Sequence, residues 1–575
     1  MAQNTTPEQA GPVSGGRCLC SHWIVPLAEL GRACPNCCRA ICTARHYAVR
    51  VATLDGPDWK LPAGACESCE REAARQLEEW RAAASEGSEP TGQTLPEPAG
   101  NMRGPSVLRR QRRRWRQRPI TFAPWAGTVA EQLAELSPAV ERVYLLGDRP
   151  KGTAAGVVEW ARGQLPAGWQ QSPRGHYVTG SSPVLRYERV GGRPVELHRA
   201  DSWFPGAVDA QTCEQAWQLL AELVAQTWDE GTMLATPATT GRHLLLRSIP
   251  HGQEWPTLND EAQQLIRSSS GQGRIELFPH DELLELHQWD GRFAYAALCW
   301  GMPAGECRRG VPDKYDPTAR GRYLVRVTVP DGWTGPGLLP RHERDGSWSW
   351  PAQPRRRWQA WVDGAELAIA ARCGWRFTIT DALVWERYTT RGPLDTWARQ
   401  LQRVREVIDS RSAVGAVAPE VAELARAGAR QVLITSVGAM HGRDHNVTRM
   451  TTDPAEVPHG AEGLTVEGDT FVWRERRPVA WPELSHPEWS AAVWGRARAR
   501  LLSAPTGTRG VKAGLLHLPE GVAPVAVRTD ALYLTGAPGW PDDGAVGRFR
   551  PVRVLPGPIP HIGDHAELLR LREAV

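Results

Sequence analysis

Two aspartates stand in strand-like segments, where a charged side chain is unusual. Asp290 ends the segment LLELHQWD and is followed by Gly291, Phe293 and Tyr295, whereas Asp530 interrupts the alternating apolar positions of VAVRTDALYLTG. Asp530 is either the solvated tip of a hairpin or a carboxylate that two strands present to a ligand. Two carboxylates on adjacent strands can bind a pair of Mg²⁺ ions about 4 Å apart and support in-line phosphoryl transfer. Both residues are therefore predicted metal ligands, although each alone is more often a surface turn residue.

A cysteine cluster near the N-terminus offers a second kind of metal site. Eight of the 12 cysteines precede residue 70, in C-x-C and C-x-x-C pairs that suit the tetrahedral thiolate ligation of Zn²⁺. They are Cys18, Cys20, Cys34, Cys37, Cys38, Cys42, Cys66 and Cys69, with His22 and His46 as substitute ligands. The first residues do not resemble a secretion signal, which favours zinc over disulfides. We predict one or two structural Zn²⁺ ions, but the spacing does not show which cysteines bind the same ion. The alternative is a cluster of unligated thiols.

An arginine-rich segment follows the cysteine cluster. RGPSVLRRQRRRWRQRP carries eight arginines between Arg103 and Arg118. Side chains such as Arg112, Arg113 and Arg114 can neutralise phosphates, and Trp115 can stack on an unpaired base. The run predicts a DNA contact, and a solvated linker is an equally open interpretation.

The elements that must position these residues fall into several units. A chain of 575 residues, 41% hydrophobic and with a formal net charge of +4, is too long for one core and predicts an α+β multidomain protein. No run of about 18 apolar residues occurs, so we expect no membrane span and a cytoplasmic location. The predicted units are a zinc-binding Cys-rich module (1–75), a charged helix, linker and Arg-rich segment (76–118), an α/β domain (119–260) and an α+β domain (261–575).

The two larger units differ in their patterns. Residues 119–260 alternate strand-like segments such as VERVYLLG with helical ones such as DAQTCEQAWQLLAELVAQTW, which is typical of α/β folds. They contain no D-x-E on a strand, the pattern that would begin a metal-dependent exonuclease site. After residue 261, strands such as GRYLVRVTVP mix with long helices such as PEVAELARAGARQVLI, which indicates an α+β architecture.

The order of the later segments resembles the palm and fingers of family B DNA polymerases, most closely the protein-primed branch of phages and linear plasmids. Asp290 matches the aspartate of motif A, D-x-x-S-L-Y-P, and Tyr295 matches its tyrosine. Arg430 and Gly438 match the lysine and glycine of motif B, K-x-x-x-N-S-x-Y-G. Asp530 matches the second aspartate of motif C, D-T-D-S. The resemblance covers roughly residues 230–550.

The resemblance implies a fold and a set of roles. It implies a polymerase-like palm with an antiparallel sheet and helices and a short C-terminal remnant of a thumb, preceded by a degenerate exonuclease-like domain. Asp290 and Asp530 would bind Mg²⁺, Tyr295 would block a ribonucleotide 2′-hydroxyl, and Arg430 would grip the incoming triphosphate. The implied nucleotide-binding residues are Gly291, Phe293, Tyr295 and Arg430, and the implied template contacts, from a Y-x-G-G region, are Gly273 and Arg274.

Several positions depart from the family motifs. Arg528 and Ala531 replace the first Asp and the Ser of motif C. Ile434 and Val437 replace the Asn and Tyr of motif B, and Ser270 aligns with the Y-x-G-G tyrosine. An arginine beside a metal site would compete with Mg²⁺ for the carboxylates or pair with phosphate, and the sequence leaves both interpretations of Arg528 open.

Three functions are open from the sequence. The first is a divergent DNA polymerase of a plasmid, phage or mobile element, which acts on DNA and deoxynucleoside triphosphates with a priming terminal protein. The second is a catalytically inactive, polymerase-derived, zinc-containing DNA-binding protein for replication initiation or regulation. The third is a coincidental α+β match. Retention of both acids and of Tyr295 favours the first, and the altered motif B and absent exonuclease carboxylates favour the second.

Overall fold

The computed structural model describes residues 118–573, apart from 149–153, 173–175, 179–183, 208, 251–254, 272, 386–391, 443–444, 452–453, 468–469 and 478–483. In this part the chain forms 22 strands and 11 α-helices, which confirms the mixed α+β class. The predicted zinc ligands between Cys18 and Cys69 lie outside the described residues. So do the predicted DNA contacts Arg112, Arg113, Arg114 and Trp115, and both sets stay predictions.

The elements are numbered in chain order. The strands are β1 (Ile120–Pro124), β2 (Arg142–Leu146), β3 (Trp169–Gln171), β4 (His176–Val178), β5 (Val184–Arg189), β6 (Pro194–Arg199), β7 (Arg274–Leu277), β8 (Leu283–Gly291), β9 (Cys307–Arg309), β10 (Arg320–Thr328), β11 (Arg341–His342), β12 (Trp348–Ser349), β13 (Arg357–Asp363), β14 (Arg376–Trp385), β15 (His445–Thr451), β16 (Glu462–Glu467), β17 (Thr470–Arg477), β18 (Ala504–Pro505), β19 (Lys512–Ala513), β20 (Pro524–Thr529), β21 (Ala531–Leu534) and β22 (Phe549–Ile559). The helices are α1 (Val129–Ala134), α2 (Ala154–Ala161), α3 (Ala210–Thr227), α4 (Pro237–Ser248), α5 (Asp260–Ser269), α6 (Ala294–Leu298), α7 (Gly364–Arg372), α8 (Asp395–Ala413), α9 (Pro419–Met440), α10 (Pro487–Leu502) and α11 (His565–Glu573).

A nine-stranded sheet joins distant parts of the chain. Its order is β1-β2-β6-β5-β4-β15-β17-β16, with β3 beside β5. Strands β1, β2 and β6 run parallel, and every residue of β2 is buried because the sheet is covered on both faces there. Strand β15 pairs with β4, so residues 445–477 complete a sheet that begins near residue 120. The predicted boundary at residue 260 stays a prediction, and this sheet crosses it.

Helices α3, α4, α8 and α9 pack into one hydrophobic core. Trp217 of α3 and Trp397 of α8 are almost fully buried in it. Gly241 of α4 allows the helices to approach closely, since a Cβ there would lie 1.8 Å from Ser436 Oγ on α9. This packing fixes the orientation of α9, which is 22 residues long and carries Arg430. None of the described helices has the length and apolarity needed to cross a lipid bilayer.

A five-stranded antiparallel sheet, ordered β22-β8-β21-β20-β7, carries both candidate aspartates. On one face, Trp289 and Leu532 pack in a core shared with β10 and β13. On the other face, Leu286 and Tyr533 pack in a core shared with Leu568 of α11. Because apolar burial holds the sheet from both sides, the ends of β8 and β21 have fixed positions.

A buried ion pair connects α7 to α10. Arg498 Nε and Nη2 donate to the two carboxylate oxygens of Glu366 at 2.7 and 2.9 Å, and both side chains are almost fully buried. Removing Glu366 would leave the buried Arg498 charge without this carboxylate. We therefore expect Glu366→Ala to lower the free energy of unfolding by about 3–5 kcal/mol in urea denaturation.

The matched control is the exposed pair between Asp331 and Arg355, at 2.8 Å. Asp331→Ala should cost less than about 1 kcal/mol, because solvent screens an exposed pair. An equal loss of unfolding free energy in the two variants would contradict a larger contribution of the buried pair to stability.

Candidate functional site

Asp290 and Asp530 come from neighbouring strands. Asp290 is the penultimate residue of β8, and Asp530 occupies the turn between β20 and β21. The strand register pairs Ala531 with Asp290, and the Gly291 N–H donates to the Asp530 main-chain oxygen at 3.2 Å. The structure thus brings the two predicted carboxylates together at one end of the sheet. Their role as metal ligands stays a prediction.

The turn that presents Asp530 has a strained backbone. Thr529 has a φ of 58°, in the left-handed region that β-branched residues rarely adopt. Its hydroxyl donates to Asp530 Oδ1 at 2.9 Å. Gly273 lies against this turn, since a Cβ there would come 3.0 Å from Thr529 Cγ2. Gly273 was predicted to contact template DNA; in the structure it leaves room for the turn that holds Asp530.

The carboxyl group of Asp290 is buried and has a raised pKa. Burial is the main cause that raises its pKa, and the charge of Asp530 raises the pKa further, to about 7. The charges of Arg430 and Arg550 act in the opposite direction. Asp290 Oδ1 is buried without a hydrogen-bond partner. A bound cation would stabilise the ionised carboxylate and satisfy that oxygen.

These residues fit a magnesium site that is completed by other ligands. Carboxylate oxygens are the donors that Mg²⁺ prefers, and this ion usually keeps waters and substrate phosphates in its coordination shell. Asp290 and Asp530 supply two carboxylates, one of them with an unpartnered oxygen. Across the described residues, no three His, Cys, Asp or Glu side chains gather as a closed metal cage. An open site with two protein carboxylates is therefore the arrangement that fits.

Arg430, on α9, makes the ion pair with Asp530. Its Nη2 lies 3.5 Å from Asp530 Oδ2, and 43% of its side chain is exposed. Burial by itself would lower the pKa of Arg430, but the charges of Asp530 and Asp290 raise it overall. The sequence left open whether Arg528 competes with Mg²⁺ for the carboxylates or pairs with phosphate. In the structure Arg430 makes the ion pair with Asp530, and the charge of Arg528 acts on Tyr533 and His565.

The other predicted nucleotide-binding residues surround the aspartates. Gly291 permits a tight turn out of β8, because a Cβ there would lie 2.7 Å from Ala294 Cβ. Phe293 follows with a φ of 46° and is buried in the helical core. Tyr295, on α6, has a raised pKa, first because it is buried and then because Asp530 is close. Gly291, Phe293 and Tyr295 thus lie beside the carboxylates.

Three residues of α9 that were matched to motif B lie on the same face of the helix. Arg430, Ile434 and Gly438 are four residues apart, so they share one helix face. Gly438 is exposed, and the space around it would hold a Cβ without contact. Ile434 therefore lies where the motif B asparagine would stand, between the partly exposed Arg430 and Gly438.

A cluster of arginines next to the site was not predicted from the sequence. The pKa of Arg405, on α8, is lowered by burial and then by the charges of Arg550, Arg292 and Arg426, while Asp409 raises it. These arginines are far apart in the chain, and arginine is so common in it that no single one is a signal. The four-residue spacing of Arg426 and Arg430 on α9 was the only local hint. The fold thus brings arginines from distant parts of the chain together beside Asp290.

Arg274 has an internal role that differs from its predicted one. It is fully buried, and its Nη1 donates to the Gly337 oxygen at 2.8 Å. Its Nε donates to Glu276 at 2.7 Å, and the guanidinium lies over the Trp350 ring. A side chain with no exposed surface and with these partners does not reach DNA. The predicted template contact of Arg274 is therefore corrected to a structural role.

A polar cavity of about 740 Å³ has one lining residue, Gly271, close in the chain to a contact of the Asp530 turn. Its lining includes Gln264, Arg267, Ser268, Gly271, His342, Trp348, Gly442 and Arg476. Gly271 is in contact with the Trp348 ring, because a Cβ there would lie 3.2 Å away. Two residues later, Gly273 touches the turn at Thr529. A residue of the cavity lining is thus two positions in the chain from a glycine that lies against the turn before Asp530.

The raised pKa of Asp290 predicts that this carboxyl group makes the stability of the folded protein depend on pH. In metal-free protein, ionisation of Asp290 should reduce stability as the pH rises from the ordinary carboxyl range through 7, because the folded state holds this proton more tightly than the unfolded state does. Asp290→Asn removes that cost. We expect the variant to be more stable by roughly 2 kcal/mol at pH 8 with EDTA, and to lose the advantage at pH 4.

Thermal unfolding at the two pH values checks this expectation. Asp331→Asn is the control, since Asp331 is exposed and remote in sequence from the site. If Asp290→Asn is less stable than the wild type at pH 8, the buried carboxyl group does not have the raised pKa described here.

The fold and site together define a class: a mixed α+β protein whose antiparallel sheet presents paired aspartates beside a helix that carries arginines. Among solved structures, the chain is similar to "Phi29 DNA polymerase, orthorhombic crystal form", at 11% identity and a TM-score of 0.46, over 75% of this chain and 79% of that chain. It is also similar to "Phi29 DNA polymerase complexed with primer-template DNA and incoming nucleotide substrates (ternary complex)", at 12% identity and a TM-score of 0.46, over 75% of this chain and 79% of that chain. No protein-family model and no curated protein sequence matches the chain. A likeness at this level concerns the overall fold and carries no conclusion about activity.

Proposed function

We propose that this chain is a divergent DNA polymerase, similar to the protein-primed branch of family B, that performs metal-dependent nucleotidyl transfer on DNA. One observation carries the proposal. Asp290, Asp530, Tyr295 and Arg430 come from four separate elements, and their side chains act on one another electrostatically at one site. A coincidental α+β match gives no reason for all four to meet.

Each residue has a role in this proposal. Asp290 and Asp530 would hold two Mg²⁺ ions, which when bound would activate the primer hydroxyl and neutralise the charge on the phosphates. Arg430 leaves Asp530 and binds the triphosphate, because a guanidinium pairs with phosphate oxygens as well as with a carboxylate. Arg405, close to Arg426, adds positive charge beside it. Tyr295 packs against the sugar.

The polar cavity is the proposed path for the template strand. Arg267 and Arg476 offer positive charge, and Trp348 offers an aromatic ring of the kind on which unpaired bases stack. Gly271 in its lining is two residues before Gly273, which lies against Thr529. DNA and deoxynucleoside triphosphates are the proposed partners, together with a priming terminal protein. The cysteine cluster is proposed to hold one or two structural Zn²⁺ ions, which elemental analysis of the purified chain would count.

A second candidate is favoured by one specific observation. The Arg430–Asp530 ion pair occupies the place where a metal would bind, and an internal cation of this kind could permanently replace Mg²⁺. The chain would then be a catalytically inactive, polymerase-derived DNA-binding protein for replication initiation or regulation.

Primer extension and DNA binding, measured side by side, separate the two candidates. The wild-type chain is incubated with Mg²⁺ or Mn²⁺, deoxynucleotides, and either a DNA primer–template or a protein hydroxyl as primer. Extension supports the polymerase. Retardation of DNA in a gel with no extension under any of these conditions would support the inactive DNA-binding protein.

Tyr295 should control the choice between deoxynucleotides and ribonucleotides. Tyr295→Val opens space at the sugar, so we expect ribonucleotide incorporation relative to deoxynucleotide incorporation to rise at least about tenfold. Tyr295→Phe is the matched control: it keeps the ring and should keep the selectivity. Equal selectivity of the Val variant and the wild type in single-nucleotide insertion would show that the ring does not contact the sugar.

A further inference from the structure

The four-stranded sheet, ordered β13-β10-β14-β9, has one face that is open to solvent at one end. Val325 and Val327 of β10 are buried in the hydrophobic core on the inner face of this sheet. Arg326, between them, is exposed. Because successive side chains of a strand point to opposite faces, Arg326 marks an accessible part of the outer face.

The strand register identifies the neighbours of Arg326 on that outer face. Each residue of the central strand β10 is paired with one residue of β13 and with one residue of β14. Paired residues on adjacent strands point to the same face, and so do residues two positions apart on one strand. Two rows of three polar side chains result, which we call the open face: Gln359, Arg326 and Thr378 in the first row, and Arg357, Thr328 and Arg376 in the second.

The three arginines of the open face are exposed and lack an acidic partner. Among the residues that the structure describes, none of the three makes an ion pair or a side-chain hydrogen bond. The acids within the four strands are Asp363 and Asp381. Asp363 is buried at the N-terminus of α7, and Asp381 Oδ2 accepts from Arg309 Nη2 and Nε at 3.0 and 3.1 Å. The open face therefore carries three positive charges that these acids do not neutralise.

The spacing of the arginines suits a series of phosphates. Adjacent strands are about 4.8 Å apart, so the Cα atoms of Arg357 and Arg376, on either side of β10, are about 10 Å apart. One strand of a DNA duplex carries a phosphate about every 3.4 Å along the helix axis, so this width spans about three phosphates. The hydroxyl groups of Thr328 and Thr378 and the amide of Gln359 are further donors of the kind that contact DNA backbones.

Helix α5 covers the other end of the same outer face. Leu383 of β14 is paired with Arg322, which is on the same face of β10 as Arg326. Leu383 packs in one hydrophobic cluster with Ile266 of α5. Arg267, the next residue of α5, lines the polar cavity. Helix α5 thus borders both the open face and the cavity that is proposed for the template strand.

We propose that the open face binds the sugar–phosphate backbone of duplex DNA without reading its sequence. The three guanidinium groups pair with phosphates, and the hydroxyl and amide groups between them donate to the same backbone. The two rows contain no aromatic side chain on which an unpaired base could stack, which favours a duplex over a single strand. The choice of DNA rests on the proposed function, whereas the excess of positive charge rests on the open face itself.

Binding of a blunt DNA duplex to the full chain, followed by fluorescence anisotropy with EDTA, tests this contact. The variant Arg326→Gln/Arg357→Gln/Arg376→Gln should bind the duplex at least about tenfold more weakly than the wild type at about 100 mM salt. The slope of log affinity against log salt concentration should become shallower by about 2–3, because each lost phosphate contact contributes about 0.9 to it. All three positions are exposed, so the substitutions leave the core of the sheet intact.

Two control variants separate a local contact from a general effect of charge. Arg403→Gln/Arg509→Gln/Arg570→Gln removes three exposed arginines from three other parts of the chain and changes the net charge equally. It should keep the affinity and the salt slope of the wild type. Replacing the three arginines of the open face with Lys keeps the charge, so this variant should keep most of the affinity.

Equal losses of duplex affinity in the two Gln variants, or no loss in the first, would overturn the proposal. So would a loss that is confined to single-stranded DNA. A loss of affinity for polyglutamate but not for the duplex would show instead that the open face docks an acidic protein. The measurement involves no metal, nucleotide or primer extension, so failure of the proposed polymerase activity and failure of this contact are distinguishable.

Discussion

Replacing Asp530 with Asn is expected to reduce primer extension by at least about 10³-fold, and Asp290→Asn should do the same. Each change removes one negative charge from the proposed metal site, to which two carboxylates contribute among the residues that the structure describes. A metal ion supplies several kcal/mol of charge stabilisation in the transition state, and each 1.4 kcal/mol is about a factor of ten in rate. Steady-state extension of a labelled primer with Mg²⁺ measures the loss.

The structure provides a control for these variants. Asp331→Asn removes a carboxylate that pairs with Arg355 in solvent. It should extend primers at the wild-type rate, because its ion pair is exposed. Asp290→Asn should also be at least as stable as the wild type in metal-free buffer, so its loss of activity would not come from unfolding. Extension by Asp530→Asn within about tenfold of the wild-type rate would show that chemistry takes place elsewhere.

Arg430→Ala is expected to raise the KM for deoxynucleoside triphosphates by about 10- to 100-fold. A hydrogen bond to a charged group contributes about 1.5–3 kcal/mol, and the phosphates would lose this partner. The same variant releases Asp530 from its ion pair at 3.5 Å. Divalent metal should therefore bind Arg430→Ala at least as tightly as it binds the wild type, while the nucleotide binds more weakly.

This opposite response of metal and nucleotide identifies the role of Arg430. Arg430→Lys keeps the charge but loses the bidentate fork, so its KM should lie between those of the wild type and the Ala variant. Arg403→Ala is the control on α8, since Arg403 pairs only loosely with Glu406 at 3.7 Å on the exposed helix surface. Parallel weakening of metal and nucleotide binding by Arg430→Ala would mean that Arg430 maintains the site instead of binding phosphate.

Local patterns were sufficient to predict the elements that carry the aspartates. The alternation of VAVRTDALYLTG became the β20–β21 hairpin, and LLELHQWD became β8. Helix α9 also lies where its pattern predicted. These segments bury one face or both faces over many residues, so their period identifies their structure. The two acids were expected on adjacent strands; Asp290 lies in β8, and Asp530 lies in the turn just before the neighbouring strand β21.

The partners of the site residues depended on long-range packing and could not be predicted in the same way. Nothing near Arg528 or Arg430 in the sequence shows which of them reaches Asp530; the packing of α9 against α4 decides it. Arg274 is next to Gly273 in the chain, yet Arg274 is buried against Glu276 and Gly273 lies against the turn that carries Asp530.

Sheet membership shows the same limit. Strand β15 could have formed a separate hairpin with β17, since these two strands pair along their whole length. Its other edge joins β4, more than 260 residues earlier in the chain. The sheet edge with which a hairpin pairs depends on the shape and hydrogen-bonding groups of a distant strand. The hairpin's own sequence does not contain that information.

Binding of Mn²⁺, followed by the electron paramagnetic resonance signal of the free ion, tests most directly whether Asp290 and Asp530 hold a shared metal site. The titration uses the wild-type chain and the Asp290→Asn/Asp530→Asn double variant, each with primer–template and a deoxynucleoside triphosphate, with metal bound by the nucleotide and DNA alone subtracted. We expect the wild type to hold Mn²⁺ ions that the double variant does not. Identical titrations for the two proteins would contradict it.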